Sequence, residues 1–208
     1  MRRSREEAAE TRRRIVETAS RLLRARGIAP VSVADIMGAL GLTVGGFYRH
    51  FESKEALVAE AIEAAADDTA LRHAKGPEGA TGAELAAARL DAYLSRAHRD
   101  NAERGCPVAA LCSEVAHESL TTKEAFTKAL TRLLDAVGGG VPGDTQDARD
   151  RRLYTTAAIV GAIVLSRATP DETLADKLLR AVQRHVHRGA PRASKKARRT
   201  RTPRKGRV

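Results

Sequence analysis

Apolar residues recur along this chain mainly at the three-to-four-residue spacing of a helix, and no stretch shows the alternation expected of a strand. The first periodic segment runs from about Glu6 to Arg26. There Ile15, Ala19, Leu22 and Leu23 share one face, and Gly27 is placed to stop the helix. Ser32, with Asp35 three residues on, is a capping-box pattern opening a short helix that ends near Leu40. Gly41-Leu42 reads as a tight turn. Thr43 is expected to cap a third short helix through Phe51, and Ser53 to cap a long fourth one towards Arg72.

Beyond Gly76-Pro77-Glu78-Gly79 the pattern is again helical, with helices expected at roughly 83–103, 107–117 and 122–137. Gly138-Gly139-Gly140-Val141-Pro142-Gly143 is a breaker, after which helices are expected at about 146–168 and 171–187. For the last of these Thr169 reads as the cap, with Pro170 in the first turn. Leu153 to Ser166 is apolar nearly all round, and Leu174, Leu178, Leu179 and Val182 form a stripe. Helices of that kind must be buried on most sides. The expected fold class is all-α.

Charge divides the chain more sharply than its sum suggests. The total is +11, but residues 1–51 carry ten basic and five acidic side chains, whereas 52–188 carry eighteen and twenty-one. Residues 189–208, GAPRASKKARRTRTPRKGRV, carry nine basic residues and no acid. That last stretch has almost nothing to bury and is expected to be a disordered basic tail. The two basic ends imply a polyanionic partner. Leu153–Ser166 lies between Arg152 and Arg167 and is too short to span a bilayer of roughly 30 Å, so no membrane role is expected. The first residues, MRRSREEAAETRRR, contain no apolar stretch that would serve as an export signal. With two cysteines and no export signal, a cytoplasmic, reduced protein is expected. No Ser-His-Asp order, metal-ligand spacing or phosphate loop appears, so neither an enzyme nor a metal or other cofactor is expected.

The segment SVADIMGALGLTVGGFYRHF, Ser32 to Phe51, has the helix, glycine turn and second helix that lay one helix in the DNA major groove. Together with the long preceding helix, the YRHF ending and the following ESKEALVAEAI, it closely resembles the N-terminal domain of the TetR family of transcriptional regulators. The resemblance covers about residues 9–68. It departs from the family at Met37, where a small residue usually packs, and at Gly45 and Gly46, which fall inside the recognition helix. There they cost on the order of 1 kcal/mol each against alanine.

The chemistry of this segment assigns roles to individual residues. Thr43 offers a hydroxyl and open backbone N–H groups to a phosphate, while Val44, Gly45 and Gly46 would face the groove. Tyr48, Arg49 and His50 supply phosphate or base-edge contacts, although for Tyr48 and His50 packing is the competing reading. Ser32 reads first as a cap. Phe47 and Phe51 read as core. Lys54 corresponds to a phosphate contact in the family.

The resemblance implies domains at 1–52 (helix-turn-helix, with 53–75 connecting) and 76–188 (ligand binding and dimerisation), followed by the 189–208 tail. It implies a homodimer through the last two helices before the tail, acting as a repressor released from a palindromic operator by an unknown small-molecule or electrophile effector. An architectural DNA-binding protein, held mainly by its tail, is the alternative. In RGCPVAALCSEVA, Cys106 reads as an N-cap whose thiolate the helix terminus and Arg104 would stabilise. Cys106 and Cys112 are therefore sensing candidates, against the plainer reading of two small buried hydrophobes. Tyr93, Phe126 and Tyr154 are candidate cavity aromatics, with core packing the competing role.

Overall fold

The computed structural model describes residues 2–74, 82–138, 141 and 143–189, and among these it contains helices and turns but no strand. α1 spans Arg2–Arg26 and buries Ile15, Ala19 and Leu23 completely. It begins earlier than its apolar periodicity, because Arg, Glu and Ala propagate a helix without needing a core. Gly27 ends it at φ +90°, with its N–H on Leu23 O at 2.8 Å. α2 spans Val33–Gly38 and carries the full capping box: Ser32 N–H donates to Asp35 at 2.8 Å and Asp35 N–H to Ser32 Oγ at 3.1 Å. These bonds to Ser32 hold the Asp35 carboxyl below its usual pKa.

α3 covers only Val44–Phe47. The helix expected through Phe51 gives way to turns in which Arg49 and His50 N–H reach Gly46 and Phe47 carbonyls three residues back, at 3.3 and 2.8 Å. Two consecutive glycines explain the shortening, since they give the helix little intrinsic drive. α4 spans Lys54–Ala74, and its Ser53 cap accepts Ala56 N–H at 3.1 Å.

The helix expected over 83–103 is three pieces: α5 (Gly82–Tyr93), α6 (Arg96–Asp100) and a 3-10 turn (Ala102–Arg104). The break falls at Ser95, which turns extended and caps α6 through His98 N–H at 3.2 Å. α7 (Pro107–Val115), α8 (Leu120–Gly138), α9 (Gln146–Ala168) and α10 (Glu172–Gly189) complete the bundle. Asp171, rather than Thr169, caps α10: its carboxylate accepts Thr173 and Leu174 N–H at 2.9 and 3.0 Å, while Thr169 Oγ1 accepts Asp171 N–H. The charge-bearing acceptor takes the exposed helix start. Residues 190–208, nearly all of the expected tail, lie outside the described residues.

α4 packs most extensively on α8, and also on α1, so one helix is shared by both halves of the molecule. The core runs continuously from Ile15, Leu23 and Phe47 through Leu57 and Ile62 to Leu111, Ile159 and Ile163. Within the single chain α9 and α10 keep apolar side chains open to solvent. Leu153, Tyr154, Leu165 and Leu174 stand 55, 59, 55 and 45% exposed. On α9 the exposed Leu153, Ala157, Leu165 and Ala168, with half-buried Gly161 between them, recur at four- and three-residue steps, one apolar stripe facing away from the core. Among the described residues no helix is long and apolar enough to cross a membrane.

Candidate nucleic-acid interface and ligand cavity

The segment after Gly41 divides cleanly into buried rings and exposed chemistry. Phe47 is fully buried and stacks on buried Phe51, with ring centres 5.4 Å apart. Tyr48 meets the edge of Phe47 yet remains 66% exposed, and Val44 is 44% exposed. Thr43, Gly45 and Arg49 are also exposed, Gly46 and His50 half-buried. Thr43 makes no side-chain capping bond, which leaves its hydroxyl at the surface. Ser32 lies exposed at the start of α2 with its hydroxyl engaged by Asp35. Thus all of Thr43, Val44, Gly45, Tyr48 and Arg49 share one solvent-facing turn, which is the arrangement a groove-reading element requires.

Two features fix that turn from behind. Arg12 of α1 lies over the Phe51 ring at 4.5 Å, donates to His50 O at 3.4 Å and pairs in a two-pronged fashion with Glu60 of α4. Sequence reasoning did not single out Arg12, because it sits among three consecutive arginines and its partners are 38 and 48 residues away. Met37 fills its unusual position by lying against glycine. A Cβ on Gly46 would sit 3.8 Å from Met37 Cε, an ordinary contact. Lys54 Nζ donates to Ile28 O at 2.8 Å, so one of its three N–H bonds ties α4 to the α1–α2 turn and two are left for a phosphate.

Nothing lies within 4 Å of a Cβ placed on Gly45. Gly45→Ala is therefore expected to raise stability by about 0.5–1 kcal/mol, read as an upward shift of the thermal or urea transition. An unchanged or lower transition would mean that the α3 backbone is held by something other than helix propensity.

The second site is a cavity of about 70 Å³ enclosed by α4, α5, α7, α8 and α9. Ala66 and Thr69 of α4, Ala86 and Leu90 of α5, and Ala129 and Leu133 of α8 form much of its apolar wall. The small alanines leave the space. Of the candidate effector residues Tyr93 and Cys106 line it, and Phe126 and Cys112 do not. Phe126 lies one turn before Ala129 and packs half-buried against the core, while Cys112 stands half-buried about 9 Å along α7 from Cys106. Tyr154 is on the outside, its ring 6.0 Å from that of His185.

Cys106 differs from its expected electrostatics. It is the N-cap of α7 but is only 3% exposed, and burial pushes its thiol pKa up, outweighing the Ala109 and Val108 N–H groups and the Tyr93 hydroxyl that favour the thiolate. The Arg167 guanidinium also favours its thiolate. Burial likewise raises the Tyr93 pKa well above the usual phenol value. Both are neutral groups at physiological pH. His98 supports them: its Nδ1 meets Tyr93 O at 2.7 Å and its Nε2 accepts Cys106 N–H at 2.9 Å, which assigns the proton to Nδ1. Gly105 is needed here because a Cβ would stand 2.9 Å from both His98 Nε2 and Arg167 Nη2.

α1 and the turn after it are bonded directly to the segment that borders the cavity. Arg24 of α1, buried at 5% exposure, donates through Nη1 to Gly105 O at 2.8 Å, next to Cys106. At the other end of α7, the Glu114 carboxylate accepts Ile28 and Ala29 N–H at 2.7 and 3.2 Å.

Comparison with known proteins agrees with this architecture. Residues 15–61 match the family model described as bacterial regulatory proteins, tetR family. An HTH-type transcriptional regulator of Mycobacterium tuberculosis is 26% identical over 187 residues, covering 83% of this chain and 92% of its own. TtgR, an HTH-type transcriptional regulator of Pseudomonas putida, is 47% identical over 58 residues, 28% of each chain. The crystal structure of a TetR transcriptional regulator from Legionella pneumophila superimposes with a TM-score of 0.70 at 19% identity, over 86% of this chain and 96% of its own. The matched segment, the relative aligned over most of the chain and the shared helical fold agree: residues 15–61 carry a tetR-family helix-turn-helix domain, and the chain as a whole is similar to helix-turn-helix transcriptional regulators of that fold.

Proposed function

We propose that the protein is a homodimeric repressor that leaves a palindromic operator when a small molecule occupies the cavity. In this reading residues 1–52 read DNA, 53–75 connect, and 76–188 bind ligand and dimerise. Thr43, Val44, Gly45, Gly46, Tyr48, Arg49 and His50 meet the duplex, while Ser32 and Lys54 flank it. The observation that carries the reading is the double connection at the two ends of α7, from Gly105, beside the cavity residue Cys106, to Arg24 and from Glu114 to the turn before α2. A ligand that favours a different position of α7 would shift the population away from the DNA-competent spacing. The outward apolar stripe of α9, with Leu174 of α10 beside it, supports pairing of two copies through those helices. Burial of Cys106 favours reversible occupancy of the cavity over attack by an electrophile.

The test is selection of binding sites from random duplex DNA with the full-length protein, combined with sedimentation of the free protein. A two-fold symmetric consensus with half-sites about one helical turn apart, or a multiple of it, and a dimer in solution are expected. A monomer that enriches no sequence would sink the repressor reading and favour an architectural protein.

A further inference from the structure

The charge lining the cavity is one-sided. Its described wall contains two guanidinium groups, Arg89 and Arg132, and no carboxylate; the rest is apolar apart from Thr69, Tyr93 and Cys106. Those three offer no counter-charge. Tyr93 and Cys106 are buried and face each other, and the Thr69 hydroxyl donates to Ala65 O at 2.7 Å. Arg89 and Arg132 are both half-buried, so they stand where the cavity meets solvent. A wall of this composition offers a cation no carboxylate of its own, whereas an anion finds guanidinium groups.

Arg132 is also the link to α4. Its Nη1 donates to Glu63 O at 3.3 Å and pairs with Asp67 at 3.1 Å, both on the helix that carries Lys54 at its other end. The pair is partly exposed, with side chains 39 and 61% accessible, so water and competing anions reach it. The remaining N–H groups of the guanidinium fork can take a carboxylate in the planar, two-pronged manner arginine favours.

Resting on the reading of this cavity as the effector site, we propose that its ligand is a small apolar monocarboxylate, whose hydrocarbon body lies among Ala66, Ala86, Ala129 and Leu133 and whose carboxylate competes with Asp67 of α4 for Arg132. Occupancy then exchanges an internal ion pair between α8 and α4 for an ion pair with the ligand. That removes the Arg132–Asp67 pair from the α8–α4 contact, while the Lys128–Glu63 pair and the packing of the two helices remain.

The experiment uses full-length protein and three matched sets: benzoate, phenylacetate and octanoate, each beside its alcohol and its amine, with affinity measured by calorimetry at neutral pH. At least one carboxylate is expected to bind about tenfold or more tightly than its alcohol, with the amine weakest. Arg132→Gln should erase the advantage of the carboxylate while leaving alcohol affinity in place, and Arg132→Lys should restore part of it. Asp67→Asn should tighten carboxylate binding several-fold, because the internal competitor is gone. Equal affinities within a set, a preference for the amine, no binding by any member, or a carboxylate preference that survives Arg132→Gln would each overturn the proposal. Operator release is read separately by fluorescence anisotropy. A carboxylate that binds through Arg132 yet leaves DNA bound would refute the effector reading alone. Release by the alcohols or amines without such a preference would refute the ligand class alone.

Discussion

Replacing Gly27 by alanine is expected to destabilise the folded chain by about 2–4 kcal/mol, the largest effect of any single added methyl group in the α1–α2 turn. Two independent penalties meet there. At φ +90° a residue with a Cβ is strained by about 1–2 kcal/mol. The Cβ would also fall 2.3 Å from Glu114 Oε1 and 2.8 Å from Oε2, so the carboxylate must move. That movement weakens its bonds to Ile28 and Ala29 N–H, and hydrogen bonds to a charged group contribute about 1.5–3 kcal/mol. For a chain of this length the loss corresponds to a fall in the thermal midpoint on the order of 10 °C. The two penalties separate in a double-mutant cycle. In a Glu114→Ala background, Gly27→Ala has no carboxylate to displace and should cost only the backbone strain, about 1–2 kcal/mol. Additive effects of the two changes would mean that the carboxylate does not occupy this position in solution. Operator and ligand affinities of Glu114→Gln, which keeps the side chain's shape but halves its acceptor capacity, report whether the same contact links the two sites.

The residues of this contact also mark the boundary of what the sequence makes legible. Gly27 is readable as a helix stop because glycine after a periodic apolar run has a local meaning, and the Ser32–Asp35 box is readable for the same reason. Glu114 is not, since its partners lie 85 and 86 residues away and its neighbours on α7 give no periodic sign of them. Arg24 is the same case. A basic residue in the last turn of a helix normally faces solvent, whereas this one is buried with its guanidinium on the Gly105 carbonyl, 81 residues on. The helix expected over 83–103 fails at Ser95, where His98 donates to Tyr93 O and accepts Cys106 N–H across a bend that apolar spacing does not record.

At the candidate DNA face the exposed set was legible residue by residue, since a groove-reading turn keeps its buried rings and exposed groups in a fixed local order. The cavity was legible only in part. Tyr93 and Cys106 stand out chemically, but alanines that make room leave no mark in a sequence rich in alanine, and Arg132 becomes informative only when Asp67 and the empty space appear beside it.

Deleting residues 190–208 is expected to lower affinity for random duplex DNA by about tenfold or more at moderate salt, and to flatten its dependence on salt. The segment carries nine of the 37 basic residues and no acid, so the remaining chain keeps a net charge of only +2. Each phosphate neutralised by a basic side chain contributes about 0.9 to the slope of log affinity against log salt. Even three contacts from each segment, in a dimer that presents two, would steepen that slope by roughly five units. None of these contacts reads a base edge, so operator and random DNA should gain from them nearly equally. The preference for operator over random DNA should therefore persist in the shortened protein, with its absolute affinity reduced on both. The measurement is fluorescence anisotropy of full-length protein and of residues 1–189, on both DNAs, across a series of salt concentrations. If the two proteins give the same slope on random DNA, the basic segment takes no part in binding, and affinity for DNA rests on the turn from Thr43 to His50 and its flanking residues alone.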